Sequence, residues 1–478
     1  MNTTLDQHQN VFLDHFDRLE RRLNRELPRW VHRLRRASMA RFAELGFPGP
    51  KSEDWRWTDV TPIVTTPFQP VDAPGATGVS PVPADAPPIV DRQLGEGPRL
   101  VFIDGVFQPA LSWSDGLPFA ARLTSLTRAL RSEPDLLEPH LGRHASRDQA
   151  FVALNAALFR DGGLLYVPAG TVVEQPVHLL HVVTPHERPV AVHPRHLLVL
   201  GRHARATVVE SYVHVSDLTK PTNGIGGMQA VPRDGARGLD SGTEYLTNAV
   251  TEVALDVDAR LDHYCVQRES SAAFHLGNLA ASQARDSHLS SHLIALGGAL
   301  ARHESSTRLD GEGCHATLNG LYMPRGEQHI DCRTRIDHAR PHCTSHELYK
   351  GILDDRAVGV FNGKIFVHPD AQKTDAKQTN QALLLSPLAT IHTKPQLEIF
   401  ADDVRCTHGA TVGQLDAEAL FYLRSRGLSD DHARSLLIYA FAGGVIEQMR
   451  LAAVRHEVER ILLAARGLLL DVATENAA

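Results

Sequence analysis

Near the end of a strand-like run, the stretch RCTHGATVGQLD (405–416) sets a soft thiol, Cys406, two residues before an imidazole, His408. Residues i and i+2 of a strand point to one face, so the two can offer sulfur and nitrogen to a single metal ion or sulfur species. Two donors are incomplete, because a closed tetrahedral site takes four protein ligands and an open one three. Either further donors come from elsewhere, or Cys406 is a small buried hydrophobe and His408 a hydrogen-bonded turn residue. The remaining cysteines, Cys265, Cys314, Cys332 and Cys343, are widely spaced with no C-x-x-C. That spacing fits reduced thiols rather than a disulfide framework or a zinc ribbon. Histidines crowd the stretch from His263 to His346 and invite a metal path. Neighbours in sequence are not ligands in space, and most of these rings are expected at exposed or turn positions.

Other chemistries have weaker support. Asp256, Asp258 and Asp262 could serve a β-helix enzyme acting on acidic polysaccharide, with calcium held by clustered carboxylates. Their spacing fits the wet face of a strand equally well, and the first residues lack the charged start and apolar run of a secretion signal. No G-x-x-x-x-G-K-[ST] phosphate loop and no strand-borne G-x-G-x-x-G occur, which argues against nucleotide binding by those routes. A net charge of -7 over 478 residues, with 42% hydrophobic residues, describes an ordinary globular chain and not a general nucleic-acid binder. No apolar run is long enough to cross a membrane as a helix, and the expected location is the cytoplasm. Arginines from Arg18 to Arg41 are read as a solvated, acid-paired helix face.

The elements that must position these residues fall into three parts. From Leu5 to Phe47 apolar residues recur at three- and four-residue spacings, as in amphipathic helices, split at Pro28 and stopped by Gly46. KSEDWRWTDV follows, then a proline-rich segment (62–98) expected to be loop-like, then RLVFIDGVF, which reads as a hairpin around Asp104-Gly105. After Gly163 the period becomes two. VALDVDARLDHYC alternates Val253, Leu255, Val257, Ala259 and Leu261 with polar residues and reads as one strand. So long a succession of short strands is either a large sandwich or a stacked coil in which each turn covers the edge of the last. Helix returns at Asp416, with Ser429 as an N-cap. The expected division is 1–162 helical with the hairpin, 163–411 β core, and 412–478 helical.

Three long stretches carry a family resemblance: HARPHCTSHELYKGIL, GVFNGKIFVHPDAQKTDAKQTNQALLLSPLATIHTKPQLEIFADDVRCTHGATVGQLD and EALFYLRSRGLSDDHARSLLIYAF. They closely resemble the shared C-terminal region of the SufB/SufD family, scaffold subunits of the SUF iron-sulfur cluster assembly machinery. THGAT after Cys406, KSEDWRWTDV and RLVFIDGVF look like the SufD branch, with a SufB-like scaffold as the alternative. The resemblance implies a right-handed parallel β-helix between helical ends, and a non-catalytic role. It also implies pairing with SufB through the end of the β-helix, and binding of the SufC ATPase through the C-terminal helices. Leu420, Phe421, Leu423, Leu436, Leu437, Tyr439 and Phe441 offer that contact. His408 matches the family histidine implicated in cluster building at the SufB contact, with Cys406 as its same-face neighbour, so the missing donors would come from the partner. Iron or an iron-sulfur cluster would then be held transiently in the complex rather than tightly by the isolated chain, and two copies can pair through the same strand end.

Overall fold

Strands too short to bury both faces alone solve the problem here by stacking. The computed structural model describes residues 2–23, 26–49, 51–71, 97–215 and 243–464, so most of the proline-rich segment and the insertion-like stretch 221–242 lie outside the described residues. The protein is mainly β, a parallel β-solenoid of about 8 turns with helices at both ends. Successive strands mostly alternate between an 11-stranded and a 10-stranded sheet, and from Gly163 on each pairs in parallel with the strand one coil on, whereas Val106–Phe107 and Arg122–Ser125 pair antiparallel. His288 faces His315 and Val358 faces Thr390, so one coil takes about 27 to 32 residues. The sequence pattern alone left sandwich and solenoid open; this register decides for the solenoid.

The corners explain one misreading. VALDVDARLDHYC is not one strand but the end of Tyr245–Leu255 and the start of Arg260–Arg268, joined by a bend at residues 256–259. Alternation survives the bend because Ala259 is buried and Asp256 exposed. Asp258 takes φ 51°, a left-handed conformation that suits Asp and lets the chain turn sharply. His203, Asp286, Gly313, His342 and Lys373 adopt the same conformation at the equivalent corners, two residues before their strands. Backbone N–H groups at these corners donate to the next coil, as Asp258 does to Arg285 O at 3.0 Å and Asp286 to Glu312 O at 2.9 Å.

The lumen holds an apolar half around Leu198, Val208, Val253, Leu255 and Leu261, and a second around Leu318, Ile330, Tyr349 and Phe361. Between them lie polar side chains, and here the expectation for the histidines is overturned. His263, His275, His292, His303 and His338 are buried; His315, His342 and His346 are exposed. A solenoid can bury such rings because the stacked coils and the corners within a coil both bring partners to them. His263 binds Glu210 at 3.1 Å and Ser291 at 3.0 Å, His275 binds Glu269 at 2.6 Å, and His338 binds Ser345 at 2.9 Å.

The N-terminal part closes one end. Its helices Asn2–Leu23 and Arg29–Leu45 pack with the helix Ala150–Leu158, buried from Phe151 on, against the outer face of the larger sheet. Arg35 is buried rather than solvated, its guanidinium 4.3 Å above the Phe159 ring. The hairpin forms as expected, and its first strand, Arg99–Ile103, joins the smaller sheet beside Val177–Val183. Glu252 locks this end: it pairs with Arg195 at 2.7 Å and accepts N–H groups of Gly142, His144 and Ala145 at 2.7 to 3.0 Å. Burial pushes the Glu252 carboxyl up, but the guanidinium and the three amides outweigh it and hold it below the usual range.

Candidate functional site

Cys406 and His408 lie on the strand Arg405–Gly413, the last of the smaller sheet, which pairs on one side only, with Asp375–Leu384. Register puts Cys406 beside Ala376 and His408 beside Gln378. Ala376 and Gln378 are both buried in the lumen, so the i, i+2 rule places the two donors on the lumen side at its mouth. Cys406 is half-buried against Ile365 and Ala376, while His408 is exposed and its ring makes no hydrogen bond or ion pair among the described residues. Burial, and then the charge of Asp375, push the Cys406 thiol up, so at neutral pH it is protonated and a poor ligand until a cation displaces the proton.

No group of three or more His, Cys, Asp or Glu that could hold a metal ion occurs among the described residues. Cys406 and His408 thus offer two donors, fewer than the three or four protein ligands of a zinc site. The two last strands, Thr390–Ile399 and Arg405–Gly413, leave their outer edges unpaired, and Leu388, Ile399, Phe400 and Val412 stand exposed around them. An apolar rim beside two open edges is a surface that another chain can cover. Sequence reading missed Leu388, Ile399 and Phe400, which only the coil register brings to this end.

The motif KSEDWRWTDV reaches the same end from the N-terminal side. Trp57 stacks on His392 with centroids 5.3 Å apart, Glu53 pairs with Lys394, and Asp54 pairs with Arg333 at 3.2 Å. It thereby ties the N-terminal part to the last strand of the larger sheet.

Beyond the mouth, the chain leaves the solenoid through Ala417–Ser425, whose Asp416 cap accepts from Glu418 N at 2.8 Å, and returns along Asp430–Ile446 and Ala452–Ala464. Ile438, Ala442, Val445, Ile446 and Met449 bury against Val266, Leu321, Ile352 and Leu383 on the outer face of the smaller sheet. Of the seven apolar residues singled out from sequence, Phe421 (75% exposed) and Leu436 (46%) face solvent. Leu420, Leu423, Leu437, Tyr439 and Phe441 are half-buried, and Phe441 sits under Lys350, whose Nζ donates to its carbonyl at 2.7 Å. Tyr422, which sequence reading passed over, is also exposed.

Other sequence candidates do not converge. Asp258 pairs with His203 at 2.9 Å and Arg260 at 3.3 Å, Asp262 faces Arg450 at 3.7 Å, and Asp256 accepts from the Val257 amide at 2.7 Å. Cys314 and Cys343 are buried one coil apart and both donate to Gly311 O, at 3.1 and 3.2 Å, a packing role consistent with reading Cys343 as structural.

Among known proteins, the SufBD core domain of the SUF system for FeS cluster assembly matches residues 182–441. The chain belongs to the SufBD family. Residues 6–84 and 90–179 match the SufBD N-terminal region. It is 35% identical to an iron-sulfur cluster assembly SufBD family protein of Synechocystis, covering 86% of each chain. It is 32% identical to the iron-sulfur cluster assembly protein SufD of Escherichia coli, over 86% of this chain and 88% of that one. Identity to SufD of Bacillus subtilis is 26%, over 91% and 94%.

Proposed function

We propose that this SufBD-family protein is a SufD-type, non-catalytic scaffold subunit that pairs with a SufB-type subunit at the open end of the solenoid. Iron or a nascent iron-sulfur cluster is the cargo, held between the two chains. The observation that carries the reading is the unfinished last coil, which presents His408 and Cys406 on its lumen side beside an exposed apolar rim. His408 supplies a nitrogen donor, and Cys406 lines the site and lends a sulfur donor when deprotonated. The remaining ligands come from the facing subunit, which explains why two donors suffice here. A SufC-type ATPase docks on the exposed face of the C-terminal helices, at Phe421, Tyr422 and Leu436.

The test is co-purification with SufB- and SufC-type partners, with iron and sulfide assayed on the intact complex. His408→Ala is expected to leave folding and assembly unchanged while reducing cluster content at least tenfold; Cys406→Ser should do less. Wild-type cluster yield from the His408→Ala complex would return both residues to a packing role. Phe421→Asp is expected to release the ATPase and keep the SufB-type partner.

A further inference from the structure

Behind His408 the lumen continues as a column. His408 is in register with Gln378, Gln378 with Glu347, and Glu347 with Leu318, each pair on adjacent strands about 4.8 Å apart. Gln378 and Glu347 are both buried, and Gln378 Nε2 donates to Glu347 Oε2. Across the lumen Gly363 makes room for that amide: a Cβ there would lie 2.3 Å from Nε2. Gln378 Oε1 is buried with no hydrogen-bond partner among the described residues, whereas the Glu347 carboxyl also has the Thr334 hydroxyl beside it. Burial without a partner is costly for an amide oxygen, so an orphan in this position calls for a donor. The next side chain along the column toward the open end is the His408 imidazole, whose own N–H is uncommitted.

We infer that Gln378 and Glu347 are positioning residues for His408. Glu347 accepts the amide N–H and fixes which way the amide faces. Gln378 Oε1 is thereby left without a donor in this conformation and accepts the ring N–H when the exposed His408 side chain turns inward, which sets the tautomer and leaves the other ring nitrogen bare toward the mouth. A hydrogen bond of this kind behind a ligating imidazole raises its basicity. The inference rests on reading His408 as the imidazole of the site, and it adds two residues on two different strands to that site. The carboxyl itself is pushed up to about 7, with burial the dominant cause.

Carbethoxylation of the full-length chain by diethyl pyrocarbonate at pH 8, resolved by peptide mass spectrometry, reads the nucleophilicity of the bare nitrogen. Gln378→Met is expected to slow His408 at least twofold, because the ring loses its acceptor, while exposed His346 and alkylation of Cys406 keep their rates. Glu347→Leu should slow His408 similarly, and Glu347→Gln, which retains an accepting oxygen, should restore the wild-type rate. A merely structural role predicts the opposite sign, since a loosened strand exposes His408 and Cys406 together and accelerates both. An unchanged or faster His408 in Gln378→Met overturns the inference. If both apolar variants fail to fold, ring carbon shifts of His408 in the wild-type chain decide: one dominant tautomer supports the inference, and the mixed population of a free ring overturns it. These ring readouts do not depend on cluster yield, so failure here is distinguishable from failure of the scaffold reading.

Discussion

The strand Tyr245–Leu255 and the strand Arg405–Gly413 belong to one solenoid, yet every residue of the first is buried and no residue of the second is. Both are parallel strands of similar length with alternating side chains. What separates them is neighbours: the first has a coil on either side and helices outside, the second a coil on one side only. The lumen residues change accordingly, from Val253 and Leu255 to Cys406 and His408. Exposure at the end thus comes from architecture, from the missing coil on one side of the last strand.

Substitutions at the two places put that contrast to the test. Leu255→Asp buries an unpaired charge in the closed half and should cost more than about 4 kcal/mol, giving insoluble protein. Val412→Asp, at the open end, should leave the isolated chain within about 0.5 kcal/mol of wild type by urea unfolding. Equal losses at the two sites would erase the contrast. Glu252→Ala strands Arg195 and should cost roughly 3 to 5 kcal/mol. Asp403→Ala, which removes only the exposed pair with Lys373, should cost no more than about 1 kcal/mol.

The pH response differs in sign between the halves. In the closed half, burial and then Arg99 lower His178 from 6.5 to about 3. The unfolded chain therefore binds the extra proton first, and this part of the stability, present above 6.5, is lost as pH falls toward 3. Near the open end Glu347 is raised from 4.5 to about 7 by burial. The folded chain keeps that proton longer, so stability is lost as pH rises from 4.5 to 7, at about 1.4 kcal/mol for each pH unit crossed. Glu347→Gln should consequently gain on wild type between pH 5 and pH 8, and His178→Asn should flatten the loss between pH 7 and pH 5. Denaturant midpoints at three pH values check both signs. The smallest effect on stability is that of His408→Ala, within about 0.5 kcal/mol, although its effect on cluster content is the largest proposed.

Much of the fold was legible in the sequence because local physics writes it there. The helix breaks at Pro28 and Gly46, the Asp104-Gly105 hairpin, the switch of period after Gly163 and the Ser429 cap all rest on residues within a few positions of one another. Register is not local. The corner at Asp258 hid inside an unbroken alternation, and buried His263 found Ser291 one coil away, nearly thirty residues on. The same holds for the site: Cys406-x-His408 is visible in three letters, whereas Gln378 and Glu347 stand behind it only once strands are stacked. The left-handed corners at Asp258, Asp286, Gly313, His342 and Lys373 recur with nearly the coil period, but their mixed residue types give no single signal to read in the sequence.

The one-sided last coil has a mechanical meaning. In a stack where each layer touches only the layers beside it, cohesion is shared between neighbours and the terminal layer is held by half the usual contacts. It is the layer that peels first. On the proposed pairing, a partner chain seated there would serve as the missing layer, so the joint would be stiff when the two subunits meet and slack when they part. Cargo lodged in such a proposed joint would be gripped or surrendered according to how tightly two proteins are pressed together, and a motor pulling on the helices beyond Asp416 would tug directly on the strand Arg405–Gly413.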